Sequence, residues 1–132
     1  MKLVIGGVFQ GKTSYAKDTY HIQEGWIDGH SCGMEEIFSC RGIHHFHEYA
    51  KRMLRDGSLL DLEHQAEGFA EKLFQRNPDI VIVSNELGCG VVPVDKEDRI
   101  WRELVGRLCT SLAERSDEVV RVMCGIGMKL KQ

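Results

Sequence analysis

Apolar positions along this chain alternate between two patterns. Leu3-Val4-Ile5 and Ile80-Val81-Ile82-Val83 are unbroken aliphatic runs, as expected of strands buried on both faces. They predict strands over residues 2–5 and 80–83. Elsewhere the spacing is helical. Ile43, Phe46, Ala50, Met53 and Leu54 form one stripe that stops near Asp56-Gly57. Ala66, Phe69, Ala70, Leu73 and Phe74 form a second, ending before Asn77-Pro78. Ile100, Leu104, Leu108 and Leu112, flanked by Trp101 and Val105, define a longer helix that Asp95 is placed to cap. Shorter segments complete the series: a helix over 13–21, a brief strand at Trp26-Ile27-Asp28, a helical turn over 35–38, and a last strand over 118–124 followed by Gly125.

Strands alternating with helices imply parallel pairing through crossovers, hence a three-layer α/β domain with a small, mostly parallel sheet. No repeat, low-complexity tract or Pro/Gly-rich linker interrupts the 132 residues, so one domain over 1–132 is expected. In such sheets ligands bind at the carboxyl ends of the strands. The rim following Ile5, Ile27 and Val83 therefore gathers three loops: that after the first strand, that at Asp28, and Ser84-Asn85-Glu86.

The first of these loops carries the most specific chemistry. Gly6-Gly7-Val8-Phe9-Gln10-Gly11-Lys12-Thr13 is G-x-x-x-x-G-K-T, running straight out of an apolar strand into a helix-compatible segment. Glycines let the backbone fold into a nest of N–H groups around a phosphate, and the helix adds its positive N-terminal dipole. Lys12 is placed to reach the β- and γ-phosphates and the Thr13 hydroxyl to bind Mg²⁺. With Ser14 at the start of the helix, residues Gly6, Gly7, Val8, Phe9, Gln10, Gly11, Lys12, Thr13 and Ser14 are the expected nucleotide-binding set, and the domain is P-loop NTPase-like.

Composition narrows the partners. A formal net charge of −3 implies no strongly basic face and argues against a nucleic-acid binder. No run approaches the length of a membrane span and the N-terminus lacks a signal-peptide layout, so a cytoplasmic protein is expected. Cys32, Cys40, Cys89, Cys109 and Cys124 form no CxxC pair and are expected to be free thiols. His44, His45 and His47 cluster downstream of Cys40, but the spacing matches no usual structural zinc site.

Phosphoryl transfer runs on positioning and charge neutralisation, so an acid near the metal and cations near the phosphates are needed. Two acids end apolar strands, Asp28 and Glu86. Asp28 is as readily a solvated loop residue as a functional one; Glu86, after the longer strand, favours function. Arg99 and Arg102, spaced i,i+3 on one helix, and Arg107 are the candidate cations, with carboxylate pairing through residues such as Glu103 as the plain alternative. His47 lies on an apolar stripe, where a hydrogen-bonded core histidine is more common than a catalyst.

Ser84-Asn85-Glu86-Leu87-Gly88-Cys89-Gly90-Val91-Val92-Pro93 resembles the S-N-E-[VIL]-G-x-G-[IV]-V-P motif of the bifunctional adenosylcobinamide kinase/adenosylcobinamide-phosphate guanylyltransferases of cobalamin biosynthesis. Arg99-Ile100-Trp101-Arg102-Glu103 resembles that family's R-x-[FYW]-R-[DE], and Gly106-Arg107-Leu108 its G-R-[LIV], with Cys109-Thr110 where the family has N-Q. Asp117-Glu118-Val119 and Gly125-Ile126 resemble its closing D-E-V…G-[IL]-P, with Gly127 replacing the proline. Ile27-Asp28-Gly29 is matched to its V-D-C.

The resemblance implies ATP or GTP with Mg²⁺ on the P-loop, Thr13 and Asp28 on the metal, and a catalytic set of Lys12, Asp28, Glu86, Arg99 and Arg102. It also implies a corrinoid acceptor and a homo-oligomer. The family's segment bearing the guanylyl-accepting histidine has no counterpart here, which leaves guanylyl transfer without that residue. Two alternatives stay open: a non-catalytic nucleotide-binding accessory or sensor, and a small P-loop kinase whose acceptor pocket is built around residues 44–49.

Overall fold

The computed structural model describes residues 1–56, 61–87 and 95–132. Among these residues six strands form one sheet in the order β2-β3-β4-β1-β5-β6. They are β1 (Lys2–Gly6), β2 (Trp26–Asp28), β3 (Gly42–His44), β4 (Val81–Asn85), β5 (Glu118–Met123) and β6 (Ile126–Lys131). The first five pair in parallel; β6 returns antiparallel along β5. Among the described residues, four helices, α1 (Lys12–Thr19), α2 (Phe46–Asp56), α3 (Leu62–Arg76) and α4 (Lys96–Arg115), accompany the sheet, with a short 3-10 turn at Glu36–Phe38. The fold is the α/β, P-loop NTPase-like architecture that the alternating pattern predicts.

Successive residues of a strand face opposite sides of the sheet, and the chain uses both. Leu3, Ile43, Ile82 and Val119 meet Phe46 and Ala50 of α2, Ala66, Ala70 and Leu73 of α3, and Leu104, Leu108 and Leu112 of α4. Val4, Val81, Val83, Val120 and Val122 meet Ala16 of α1 and Ile22 on the opposite face. That division makes three layers. It also sends α1, which follows β1, to one face, and α4, which follows β4, to the other. The carboxyl ends of β1 and β4 lie side by side, Gly6 opposite Asn85, so these strands open a crevice between them, as open α/β sheets do where connections diverge.

Two elements depart from the periodicity. Ile43, expected on the first helical stripe, lies in β3, where it pairs with Ile27 and Ile82. Gly42 permits this placement, since a Cβ there would sit 2.6 Å from the Trp26 ring. The segment after Gly125 is β6, a strand absent from the expected series. Asp95 caps α4 as expected, its side chain accepting from the Glu97 N–H. Phe46 is fully buried, and Trp26 and Trp101 are half-buried against the core. Cys32, Cys40, Cys109 and Cys124 are free thiols.

Candidate functional site

β1 ends at Gly6, where a Cβ would lie 2.6 Å from the Val122 carbonyl oxygen of the adjacent strand. Residues 7–11 turn away from the sheet, and α1 begins at Lys12 with Gly11 as N-cap at φ 80°. Gly11 offers no side-chain cap, so the first-turn amides of α1 face the loop with their dipole toward it. Lys12 is buried and its Nζ donates to the Gly7 carbonyl at 2.6 Å. Burial pulls its pKa down, and the charge of Glu86 partly opposes that. Phe9 stands fully exposed at the loop tip with a left-handed φ of 60°.

The loop is braced by the turn that follows the adjacent strand β5. The Gln10 carbonyl accepts from Gly125 N–H at 2.8 Å, and its side-chain oxygen accepts from Cys124 N–H at 2.6 Å. Behind the loop lies a cleft of about 230 Å³, lined by residues 8–14 together with His45, His47, Val83, Ser84 and Asn85. Lys12, Thr13 and the end of β4 thus share one space, as the expected rim of loops requires.

His47 is buried beside this cleft. Its Nδ1 accepts from the Asn85 N–H at 3.2 Å, and its ring stacks on Trp101. Trp101 in turn donates its indole N–H to the His47 carbonyl at 2.7 Å. Burial pushes the His47 pKa down to about 4, with the nearby His45 and Lys12 acting in the same direction. A neutral imidazole tied to the backbone is therefore the form present at neutral pH.

Glu86 sits at the base of the loop, its N–H donating to the Gly6 carbonyl at 2.8 Å. Its carboxylate accepts from Arg121 of β5 at 3.0 Å. Arg102 donates to the Leu87 carbonyl, and with Asn85, Glu86 and Arg121 it lines a second hollow of about 440 Å³. Arg99 is exposed on α4 and is not among the residues lining either space. Arg107 pairs with Glu103 and Glu63, the carboxylate pairing anticipated for a helix-surface arginine. Gly88 to Pro93, the rest of the S-N-E motif, lies outside the described residues.

Asp28 ends β2, directly opposite His44 of β3. Its Oδ1 accepts from the His30 N–H at 2.9 Å and contacts His45 Nδ1 at 3.0 Å. Burial works to raise the Asp28 pKa, but these hydrogen bonds and the neighbouring histidines outweigh it, and the carboxyl is held below its ordinary value. The sequence noted His44, His45 and His47 without choosing among them, and it gave no role to Arg121. The available signal for Arg121 was a charge set within the apolar run Val119, Val120, Val122 of one strand.

The sequence profile of the CobU family, cobinamide kinase / cobinamide phosphate guanyltransferase, matches residues 44–130, well over half of the chain. The chain belongs to this family. The CobU match begins at His44, so the loop at 6–13 and Asp28 precede it. The bifunctional adenosylcobalamin biosynthesis protein CobU of Salmonella typhimurium is 45% identical over 58 residues, 43% of this chain and 32% of its own length. The protein of that name from Escherichia coli is 43% identical over 58 residues, with the same two coverages. CobP of Pseudomonas aeruginosa is 36% identical over 70 residues, 53% of this chain and 40% of its own. The matched stretch thus spans well under half the length of these curated relatives. No described helix is long and apolar enough to cross a membrane.

Proposed function

We propose that this chain is a P-loop kinase of cobalamin biosynthesis that transfers the terminal phosphoryl group of ATP or GTP to the hydroxyl of a cobinamide-type corrinoid. The observation that carries the reading is a strand–loop–helix phosphate cradle, with Lys12 folded into it, opening at the β1/β4 crevice of a CobU-family chain. The first-turn amides of α1 and the loop N–H groups would hold the phosphate oxygens. Lys12 would swing from the Gly7 carbonyl onto the β- and γ-oxygens, exchanging one charge-poor acceptor for an anionic one.

Mg²⁺ fits the donor chemistry present. Thr13 lines the cleft and offers the oxygen ligand that this ion demands; Asp28 ends β2 on the same rim but is not among the residues lining that cleft. Bound there with the nucleotide, Mg²⁺ would neutralise charge on the phosphates. Glu86, held by Arg121, is placed to orient the acceptor hydroxyl, and Arg102 to neutralise phosphate charge from the neighbouring hollow. Arg99 is the more peripheral of the two helix cations. Guanylyl transfer is not part of the proposal, because the motif resemblance supplies no counterpart for the family's guanylyl-accepting histidine.

The test is calorimetric titration with MgATP and MgGTP, with and without adenosylcobinamide, followed by product analysis. Phosphorylated corrinoid, absent with Lys12→Ala, is the expected result. Nucleotide binding without any corrinoid product would instead favour an accessory or sensor role, for which the short match to the curated relatives is the motivating observation.

A further inference from the structure

In a regular strand, neighbouring residues point to opposite faces, so His44 and His45 should diverge. They do not. His45 follows β3 with a left-handed φ of 55°, a conformation uncommon outside glycine and informative where it occurs. The turn brings both rings together, with centroids 4.7 Å apart and the two Nδ1 atoms at 3.1 Å. The same His45 Nδ1 lies 3.0 Å from Asp28 Oδ1. One ligand atom from each of Asp28, His44 and His45 lies within 4.8 Å of the others.

The backbone around the cluster is closely determined. Asp28 and His44 are register partners across β2 and β3, and the Gly29 N–H donates to the His44 carbonyl at 2.8 Å. A Cβ on Gly29 would fall 2.3 Å from the His45 carbonyl oxygen, so this approach requires glycine. That carbonyl accepts from the Glu48 and Tyr49 N–H groups and starts α2.

Hydrogen bonding accounts poorly for such a group. His45 Nδ1 carries at most one proton and faces both a carboxylate oxygen and the His44 Nδ1, so whichever tautomer His44 adopts, the two contacts cannot both be linear hydrogen bonds. A cation satisfies all three at once. Around tetrahedral zinc, with bonds near 2.0–2.1 Å, neighbouring ligand atoms stand about 3.3 Å apart, close to the 3.0 and 3.1 Å found here. Two imidazoles and one carboxylate suit a borderline divalent ion such as Zn²⁺ far better than Mg²⁺, which prefers oxygen. Three protein ligands on a half-exposed rim leave a coordination position open to solvent or substrate.

We propose that Asp28, His44 and His45 form a binding site for a divalent transition cation of the zinc class, beside the phosphate cleft that His45 also lines. The site does not depend on the kinase reading, since its cation binds the protein without nucleotide. With Asp28 committed to it, the Mg²⁺ that accompanies a nucleotide would rely on Thr13, the phosphates and water.

The experiment uses the full chain, stripped with chelator and titrated with Zn²⁺ by calorimetry in the presence of excess Mg²⁺. Co²⁺ serves as a spectroscopic probe of the same site. One equivalent of Zn²⁺ and visible Co²⁺ bands of a low-coordinate nitrogen site are expected. His44→Gln, His45→Gln and Asp28→Asn should each weaken binding roughly tenfold or more, by analogy with the loss seen even for residues that only support metal ligands. His64→Gln, an exposed helix histidine paired with Asp61, should leave it unchanged, as should Cys124→Ser. Circular dichroism and melting temperature establish that each variant is folded. Lys12→Ala should lose nucleotide binding and keep Zn²⁺, which separates this site from the kinase reading. Unaltered Zn²⁺ affinity in folded His44→Gln and His45→Gln, or displacement of Zn²⁺ by equimolar Mg²⁺, would overturn the proposal.

Discussion

The carbonyl of Gln10 accepts a hydrogen bond from the Gly125 N–H at 2.8 Å, tying the glycine-rich loop after β1 to the distant β5–β6 turn. Gly125 at φ 76° and Cys124 at φ 50° form a left-handed turn that presents two consecutive N–H groups to one residue. Loop shape is thereby set by an edge hairpin as well as by its own glycines. Gln10→Ala removes the bond to Cys124 but leaves an exposed N–H that water can satisfy. A cost of about 0.5–1.5 kcal/mol is expected, read as a melting temperature lower by a few degrees, together with weaker nucleotide binding in calorimetry.

Gly127 lies against the Tyr15 ring, and a Cβ there would approach ring atoms to 2.3–2.4 Å. Gly127→Ala should destabilise the fold by about 1–3 kcal/mol, the range for overpacking. Adding Tyr15→Ala should recover part of that loss, because the obstructing ring is gone. Chemical denaturation of the single and double variants measures the coupling.

Lys12→Ala should leave the fold intact, since the side chain satisfies only the Gly7 carbonyl. Nucleotide-dependent transfer should drop at least 10²-fold, as when one preorganised charge-stabilising group is removed from an active site. Radiolabelled phosphate transfer to adenosylcobinamide, with circular dichroism as the folding control, gives the answer.

Glu86 acts on Lys12 through its charge, holding up a pKa that burial lowers. Glu86→Gln should therefore let the Lys12 pKa fall further. The alkaline limb of the pH–rate profile then moves to lower pH, beyond any fall in rate. Arg121→Gln frees the carboxylate of its partner without removing it, and should leave that limb in place.

His47 is buried as the neutral ring, with its pKa pushed down to about 4 against 6.5 for the free side chain. The unfolded chain therefore binds a proton that the folded chain refuses between those values. Stability is fully present above about pH 6.5 and declines as pH falls toward 4. His47→Gln should flatten that part of the melting-temperature profile, even if it lowers stability at neutral pH by losing the stack on Trp101.

Much of the architecture was legible locally. Ile80-Val81-Ile82-Val83 announces a central strand, and Asp95 with its downstream stripe announces α4. The G-K-T spelling locates the turn from β1 into α1. β6 has a local signal as well: Ile126, Met128 and Leu130 alternate with Gly127, Lys129 and Lys131, the period-two pattern of a strand. β3 was not legible, because three residues are too few to show a period, and Ile43 happens to fall at helical spacing from Phe46 and Ala50.

Sequence alone determined the residue types that build the glycine-rich loop, the strands buried on both faces, and the family motifs, since each depends on contiguous residues whose backbone geometry or burial is local. Tertiary structure decided what meets that loop. Arg121 reaches Glu86, the β5–β6 turn reaches Gln10, and Asp28 meets His44 and His45 only because parallel pairing sets distant strand ends side by side. Which strands become neighbours follows from how the apolar faces pack on the helices, and that is a property of the whole sheet rather than of any segment.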